Sequence, residues 1–484
     1  MKLQPALVGV LALLAACDAS TDKSTTDTDT DATDTSDTSD TGDTSDTGTT
    51  GIPDACEVAG VTCQDSPEKV GFLKGTISSD LKLSKDRAWV LDGGVFIGDG
   101  TKAKGATIVI EAGTTVYGDS ASDGFLVVNR FSKIMAEGTK DAPIVFTSDQ
   151  EIGKRGPSDW GGLVINGNAP SNTCAEPSGS DPKCTGADLD GEAGTGKYGG
   201  PDEADDSGVL KFVRVEFAGT LISDTKEING IAFQGVGNKT VVEDIHAHRC
   251  ADDGVEFFGG TVNVKRVILT GNGDDGLDWT DGWRGKGQWI AIQPYAGAGD
   301  NGIEADNNEE SDDLLPRSKP MLQNVTIAGA NAEPQSNGMR VREGTAGVFD
   351  RFIVTNTKKH CLSLDDATTY AAGWDAGQSK LNGELAITNS IVGCGTGNQF
   401  EDKVAGTPFT AETWFTGGTG NSAADPMLTD VGTVTSPAGL LPKAGSPALN
   451  VASGKLDDAF FTATDYVGAF GDTDWTAWSE FADK

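Results

Sequence analysis

Glu256, Asp278 and Glu304, followed by Arg340, hold the same place in a recurring unit of glycine, apolar, polar and apolar residues. The unit reads Gly230-Ile231-Ala232-Phe233, Gly254-Val255-Glu256-Phe257, Gly276-Leu277-Asp278-Trp279, Gly302-Ile303-Glu304-Ala305 and Gly338-Met339-Arg340-Val341, then Cys361-Leu362-Ser363-Leu364 with the glycine replaced. First positions lie 24, 22, 26, 36 and 23 residues apart, the long step carrying a polar insertion around Glu309 to Lys319. If successive units stack, three carboxylates come within a few ångströms of one another. Their repulsion then calls for a bound cation, protonation, or the arginine at the end of the column. The residues before each glycine, Asp252-Asp253, Asp274-Asp275 and Asp300-Asn301, add a second acidic column at the bend. Asp252, Asp253, Glu256, Asp274, Asp275, Asp278, Asp300 and Glu304 therefore form a candidate oxygen set for Ca2+. The plainest alternative is that Asp and Asn occupy bends for conformational reasons and that the column is a solvated surface.

A separate run, Asp244-Ile245-His246-Ala247-His248-Arg249-Cys250, puts Asp244, His246, His248 and Cys250 on one face of a strand. His-x-His supplies two zinc ligands and a thiolate a third, against the simpler reading of hydrogen-bonded histidines outside a coil. Trp283 and Tyr295 follow acidic bends, where exposed rings stack on sugars or cap the coil. No phosphate loop, dinucleotide fingerprint or serine elbow occurs.

A repeat near two dozen residues in short β-rich runs separated by glycine, asparagine and aspartate predicts an all-β parallel β-helix, a solenoid. A sandwich or propeller expects hairpins and a more uniform period. Each coil contributes one glycine-led strand and one from a second set, such as Leu210 to Phe217, Thr240 to His246 and Val264 to Thr270, with room for a third short strand. Alternation along the glycine-led strand sends Val255, Phe257, Leu277 and Trp279 inward and Glu256, Asp278, Glu304, Arg340 and Ser363 outward, about 4.8 Å apart. Phe460, Phe461, Tyr466, Phe470, Trp475, Trp478 and Phe481 are expected to close the last coil.

The chain has 484 residues, with 37 Lys plus Arg against 73 Asp plus Glu. A net charge of −36 opposes nucleic acid as a partner. Residues 1–16 read as a secretory signal, with Lys2 before an apolar stretch. Residues 17–55, mostly Thr, Asp, Ser and Gly, predict a disordered, extended spacer whose threonines are candidate O-glycan sites. A short disulfide-linked lead-in is expected at 56–70 and the β-helix at 71–484. Cys56 with Cys63 and Cys174 with Cys184 are local disulfide candidates. Cys361 and Cys394, about one repeat apart, suggest a third bridge, leaving Cys250 free or metal-bound.

Leu14-Ala15-Ala16-Cys17 resembles the bacterial lipobox. That resemblance implies diacylation of Cys17, by chains such as palmitate, and anchoring to a membrane. The outer membrane or cell surface is the expected place, although Asp18 acts as an inner-membrane signal in some bacteria. Further runs, Ile110-Glu111-Ala112-Gly113-Thr114, Ala136-Glu137-Gly138-Thr139, Pro143-Ile144-Val145-Phe146-Thr147-Ser148, Asp159-Trp160-Gly161-Gly162, Val213-Arg214-Val215-Glu216-Phe217-Ala218-Gly219, Phe257-Phe258-Gly259-Gly260-Thr261-Val262 and Tyr466-Val467-Gly468-Ala469-Phe470, resemble a family of secreted Gram-negative lipoproteins. The resemblance runs from about residue 70 to the C-terminus and implies a right-handed parallel β-helix of the pectate-lyase-like superfold. Pectate lyases hold calcium on carboxylates of adjacent coils and use an arginine as base, which makes Glu256, Asp278, Glu304 and Arg340 candidate catalytic residues of a polysaccharide lyase. A glycoside hydrolase would take its acid and base from Asp274, Asp275 and Asp278, but the histidine and Arg-Ile-Lys signatures of polygalacturonases are missing. The expectation is a lipid-anchored, monomeric envelope protein that binds glycans or envelope partners, stabilised by calcium, with the lyase as the alternative.

Overall fold

The computed structural model describes residues 51–173, 189–220, 227–394, 399–431 and 437–479. The signal segment, Cys17, the spacer to residue 50, Cys174, Cys184 and Phe481 lie outside the described residues.

The chain coils into the parallel β-helix that the repeat predicted, right-handed as the family resemblance implied. The glycine-led strands form one ladder. Gly94 to Ile97 pairs with Phe125–Val128, which is followed by Leu163–Asn166, Ile231–Gln234, Val255–Phe258, Leu277–Thr280, Ile303–Ala305, Met339–Val341, Leu362–Leu364 and Phe400–Asp402. Glycine leads the unit because its Cα lies against the neighbouring wall: a Cβ on Gly302 would sit 2.3 Å from Ile327 Cγ2 and 2.6 Å from the Gly338 carbonyl. Where Cys361 replaces glycine, it is disulfide-bonded to Cys394.

The other two walls come from one bent strand. Lys133–Glu137 and Ile144–Ser148 are separate, yet both pair with Gly208–Glu216, which continues into Val241–His248, Asn263–Thr270, Lys286–Gln293, Met321–Ala328 and Gly347–Thr355. Each long strand turns its corner at a left-handed residue, φ 49° at Phe212, 54° at Asp244, 55° at Arg266, 63° at Trp289, 60° at Asn324 and 58° at Arg351. This shifts the side-chain alternation by one, so Val242 points inward before the corner and Ile245 and Ala247 after it. The interior is a continuous apolar column, with Phe233, Phe257 and Trp279 fully buried.

Both ends are closed, though not as the aromatic pattern suggested. At the N-terminal end Val61–Gln64 runs antiparallel to Val70–Ile77, tied by the Cys56–Cys63 disulfide. The C-terminal end is covered by the helices Ala367–Ala372 and Ala411–Gly417, with Tyr370, Trp414 and Phe415 buried and Thr410 Oγ1 accepting from the Thr413 amide at 3.0 Å. The final aromatic segment instead doubles back along the flank of the coil, correcting the expected terminal cap. Val467 and Phe470 cover Ala291, Ala328 and Ile353. Trp289 Nε1 donates to the Tyr466 hydroxyl at 2.8 Å, and Trp478 meets Phe212 edge-on at 5.4 Å between centroids.

Candidate functional site

The bend residues form a hydrogen-bonded ladder. The amide of Asp253 donates to Asn229 Oδ1 at 3.2 Å, that of Asp275 to Asp253 Oδ1 at 2.8 Å, that of Asn301 to Asp275 Oδ1 at 2.5 Å and that of Asn337 to Asn301 Oδ1 at 3.3 Å. Asp253 and Asp275 thus do the structural work of asparagines with one oxygen each. Their second oxygens add negative charge that an asparagine would lack.

The two acidic columns expected from the sequence converge into one seam. One carboxylate oxygen from each of Asp253, Glu256 and Asp278 lies within 4.8 Å of the others, and the same holds for Asp275, Asp278 and Glu304. Asp252, Asp253 and Asp274, and Asp274, Asp275 and Asp300, form two outer triads at the same spacing. The inner carboxylates are not the solvated surface of the plainest reading. Glu256 is 8% exposed, Glu304 9%, Asp253 5% and Asp275 3%, while Asp274 reaches solvent. Two of the pairings offered for a hydrolase, Asp274 with Asp275 and Asp275 with Asp278, approach within 4.8 Å, closer than the roughly 6.5–9.5 Å that an inverting enzyme keeps for its water.

Burial and mutual repulsion push these groups towards the protonated form. Glu256 is raised well above its ordinary range by burial, then by Glu192 and Asp278; Asp278 by burial, then by Asp306 and Glu304. Glu304, Asp306 and Asp252 are each pushed up to about 7, chiefly by burial. Asn229 Nδ2 bridges two of the acids, donating to Glu256 at 2.5 Å and Glu192 at 3.0 Å. Asp278 Oδ1 is shielded from solvent and has no donor among the described residues.

The seam ends in arginines. Arg340 pairs with Glu304 at 3.1 Å and Asp365 at 2.7 Å, and Arg342 with Glu304 at 2.6 Å and Asp306 at 2.8 Å. Partial burial opposes the Arg340 charge, but the Asp365 hydrogen bond and the charges of Asp365 and Glu304 hold its pKa above the ordinary value. Arg340 is a counter-ion here, which corrects its reading as a base. Arg342, Asp306, Glu192 and Asn229 escaped the sequence reading. Arg342 and Asp306 stand two residues beyond Arg340 and Glu304, and the strand alternation could have flagged them; Glu192 arrives from a distant hairpin.

The His/Cys cluster dissolves for the reason that shapes the corners. Left-handed Asp244 and Arg249, the latter with φ 50°, each reset the alternation, so Cys250 joins the core while His246 and His248 face outward under the C-terminal segment. Both histidines are buried and bond to the Thr270 hydroxyl, at 2.7 and 2.8 Å, and His246 Nδ1 contacts Ser479 Oγ at 2.6 Å. Burial pushes the Cys250 thiol up to about 12 and His248 down to about 3. Trp283 and Tyr295 are buried rather than exposed, Trp283 stacked on Phe257 with centroids 4.0 Å apart.

Solved structures similar to this chain include pectate lyase Pel9A, with a TM-score of 0.37 at 12% identity over 76% of this chain and 88% of that one. The Dettilon tailspike protein matches with a TM-score of 0.31 at 11% identity, over 72% and 59% of the two chains. The periplasmic alginate epimerase AlgG matches with a TM-score of 0.27 at 9% identity, over 70% and 76%. At these scores the neighbours carry no argument about activity. No curated protein shows significant sequence similarity to the chain. A family model described as pectate-lyase-like β-helix domain matches residues 75–427. With the coil, its ladders and that match in hand, the chain belongs to the pectate-lyase-like β-helix family.

Proposed function

We propose that this is a lipid-anchored β-helix of the cell envelope, held at the outer membrane or cell surface through Cys17, which binds glycans or other envelope partners and is stabilised by Ca2+ in its acidic seam. The observation that carries the calcium reading is Asp278 Oδ1, a solvent-shielded carboxylate oxygen without a donor, set among Asp253, Glu256, Asp275 and Glu304. Ca2+ takes six to eight oxygens, mostly carboxylate, and a charge of +2 relieves the repulsion that otherwise protonates the cluster. Asp253, Glu256, Asp275, Asp278 and Glu304 would hold the ion.

The test is a calcium titration of the full chain carrying Cys17→Ser, following melting temperature and heat of binding. Saturable stabilisation, about 2.7 kcal/mol at a hundredfold excess over Kd, is expected and should vanish in Glu256→Gln and Asp278→Asn. No response in the parent chain removes the metal from the proposal. Anchoring is tested separately by palmitate labelling, which should be lost in Cys17→Ser. In the lyase alternative Arg340 would have to leave Glu304 and Asp365 to act as base. Unsaturated uronate products, absorbing in the near ultraviolet, would reinstate it.

A further inference from the structure

In the four coils before the acidic seam, the outward positions in register with Glu256 carry no charge. They are Phe96, Val127, Val164 and Ala232. The outward positions two residues further along are amides, Asn166 and Gln234, both fully buried. A hairpin, Leu189–Asp190 paired antiparallel with Lys197–Tyr198, lies over this floor. Asn166 Nδ2 donates to the Thr195 carbonyl at 2.8 Å and Gln234 Nε2 to the Thr195 hydroxyl at 3.2 Å. Among the described residues no donor reaches Asn166 Oδ1 or Gln234 Oε1. A buried acceptor left unmade costs about 1–3 kcal/mol, so a purely structural cover would be expected to satisfy it.

The cover is anchored at its sides and glycine-rich at its tip. Ala193 joins the apolar cluster beneath, Asn229 Nδ2 donates to Glu192 at 3.0 Å and the Tyr198 hydroxyl to Asp281 at 3.1 Å, while the tip runs through Gly191, Gly194 and Gly196. Gly196, at φ +104°, lies so close to the floor that a Cβ there would stand 2.7 Å from Asn129 Oδ1 and 3.1 Å from Asn166 Nδ2. Beside it an open depression of about 440 Å³ is lined by Phe96, Asp99, Asn129, Arg130, Gly196 and Lys197, so the amide row continues to solvent.

We propose that Asn166 and Gln234, with the apolar floor of Val164 and Ala232 and the half-buried ring of Phe96, form a subsite for a neutral, hydroxyl-rich oligosaccharide, and that residues 189–198 are the lid over it. A primary amide donates and accepts side by side, as a sugar hydroxyl does, and the sugar's C–H face suits the apolar residues between. Hydroxyls entering from the depression would supply the donors that Asn166 Oδ1 and Gln234 Oε1 lack, in exchange for the Thr195 contacts. The floor groups are uncharged, and the charges at the mouth, Asp99, Arg130 and Lys197, are of both signs, so that beside a seam of carboxylates a neutral sugar is favoured over a uronate. The subsite rests on the glycan-binding part of the proposed function and is independent of calcium.

The experiment is calorimetric titration of the full chain carrying Cys17→Ser with cellohexaose, mannohexaose, maltohexaose and hexagalacturonate, in EDTA and again in Ca2+. A neutral hexasaccharide should bind in EDTA, at least tenfold more weakly in Gln234→Met and Asn166→Leu. Gly196→Ala, which pushes the lid off the floor, should bind at least threefold more tightly and lose hydrogen-exchange protection at 189–198 without a change in the rest of the chain. Binding of hexagalacturonate alone, lost in EDTA, would overturn the subsite and leave a glycan site at the seam. Binding of a neutral sugar unaffected by all three lid and floor variants would also overturn it while sparing the glycan reading. Silence from every sugar would overturn both.

Discussion

One wall of this solenoid is built twice from the same backbone and ends as two different surfaces. In the N-terminal coils the outward column reads Phe96, Val127, Val164 and Ala232, and a hairpin covers it. From the next coil it reads Glu256, Asp278, Glu304 and Arg340, bordered by Asp253 and Asp275. Both halves share the ladder, the leading glycines and the apolar interior. The difference lies in the outward residues and in what borders them. An apolar column can be satisfied by packing, whereas an acidic column must find counter-charge, protons or a metal.

The strongest way to break the comparison is to write the second surface into the first. Val164→Asp places a carboxylate, with no cation partner, under the hairpin at a fully buried site. A loss of about 3–5 kcal/mol is expected by denaturant unfolding, not recovered by calcium. A loss below about 1 kcal/mol would mean that the two halves do not differ as described.

Next in size is Arg342→Met, which strips Glu304 and Asp306 of the guanidinium 2.6 and 2.8 Å away. About 3 kcal/mol should be lost at pH 8 and much less at pH 5, where the acids protonate. Equal losses at both values would show that Arg342 acts through packing.

The native protein supplies a milder test. Glu304, Asp306 and Asp252 titrate at about 7 in the folded state, above unfolded values near 4. The folded state therefore holds protons more tightly between about pH 4 and 7, and in EDTA its stability should fall as pH rises through that window. Calcium should flatten the profile. A metal-free melting temperature that climbs across the same interval would contradict the electrostatics of the seam. Smallest is Glu192→Gln, which keeps a hydrogen-bonding group near Asn229 while removing one charge facing Glu256. A gain of about 0.5 kcal/mol at pH 8, absent at pH 4, is expected by the same unfolding assay.

Much of this was legible without coordinates. The unit beginning at Gly254, Gly276, Gly302 and Gly338 announced both the ladder and its register, because only residues of one coil position repeat at that spacing. The seam's acids were legible as candidates for the same reason. Asp306 and Arg342 were within reach by extending the alternation, but Glu192 was not: it comes from a hairpin far along the chain and is joined to Glu256 by Asn229. The His246/His248/Cys250 reading failed because simple alternation does not survive the left-handed corners at Asp244 and Arg249. Those residues are not glycines, so no composition signal marks them.

What the sequence by itself determined is the coil: its period, the glycine-led ladder, the inward apolar residues and the stacking of Glu256, Asp278 and Glu304, all consequences of local periodicity. Only the tertiary structure decided what lies against that ladder. Asp253 and Asp275 were brought beside Glu256 and Asp278, Arg340 was claimed by Glu304 and Asp365, the C-terminal aromatics went to the flank, and the hairpin came down on Asn166 and Gln234. Those are contacts between segments far apart in the chain, set by packing and charge rather than by spacing, and so a repeat cannot encode them.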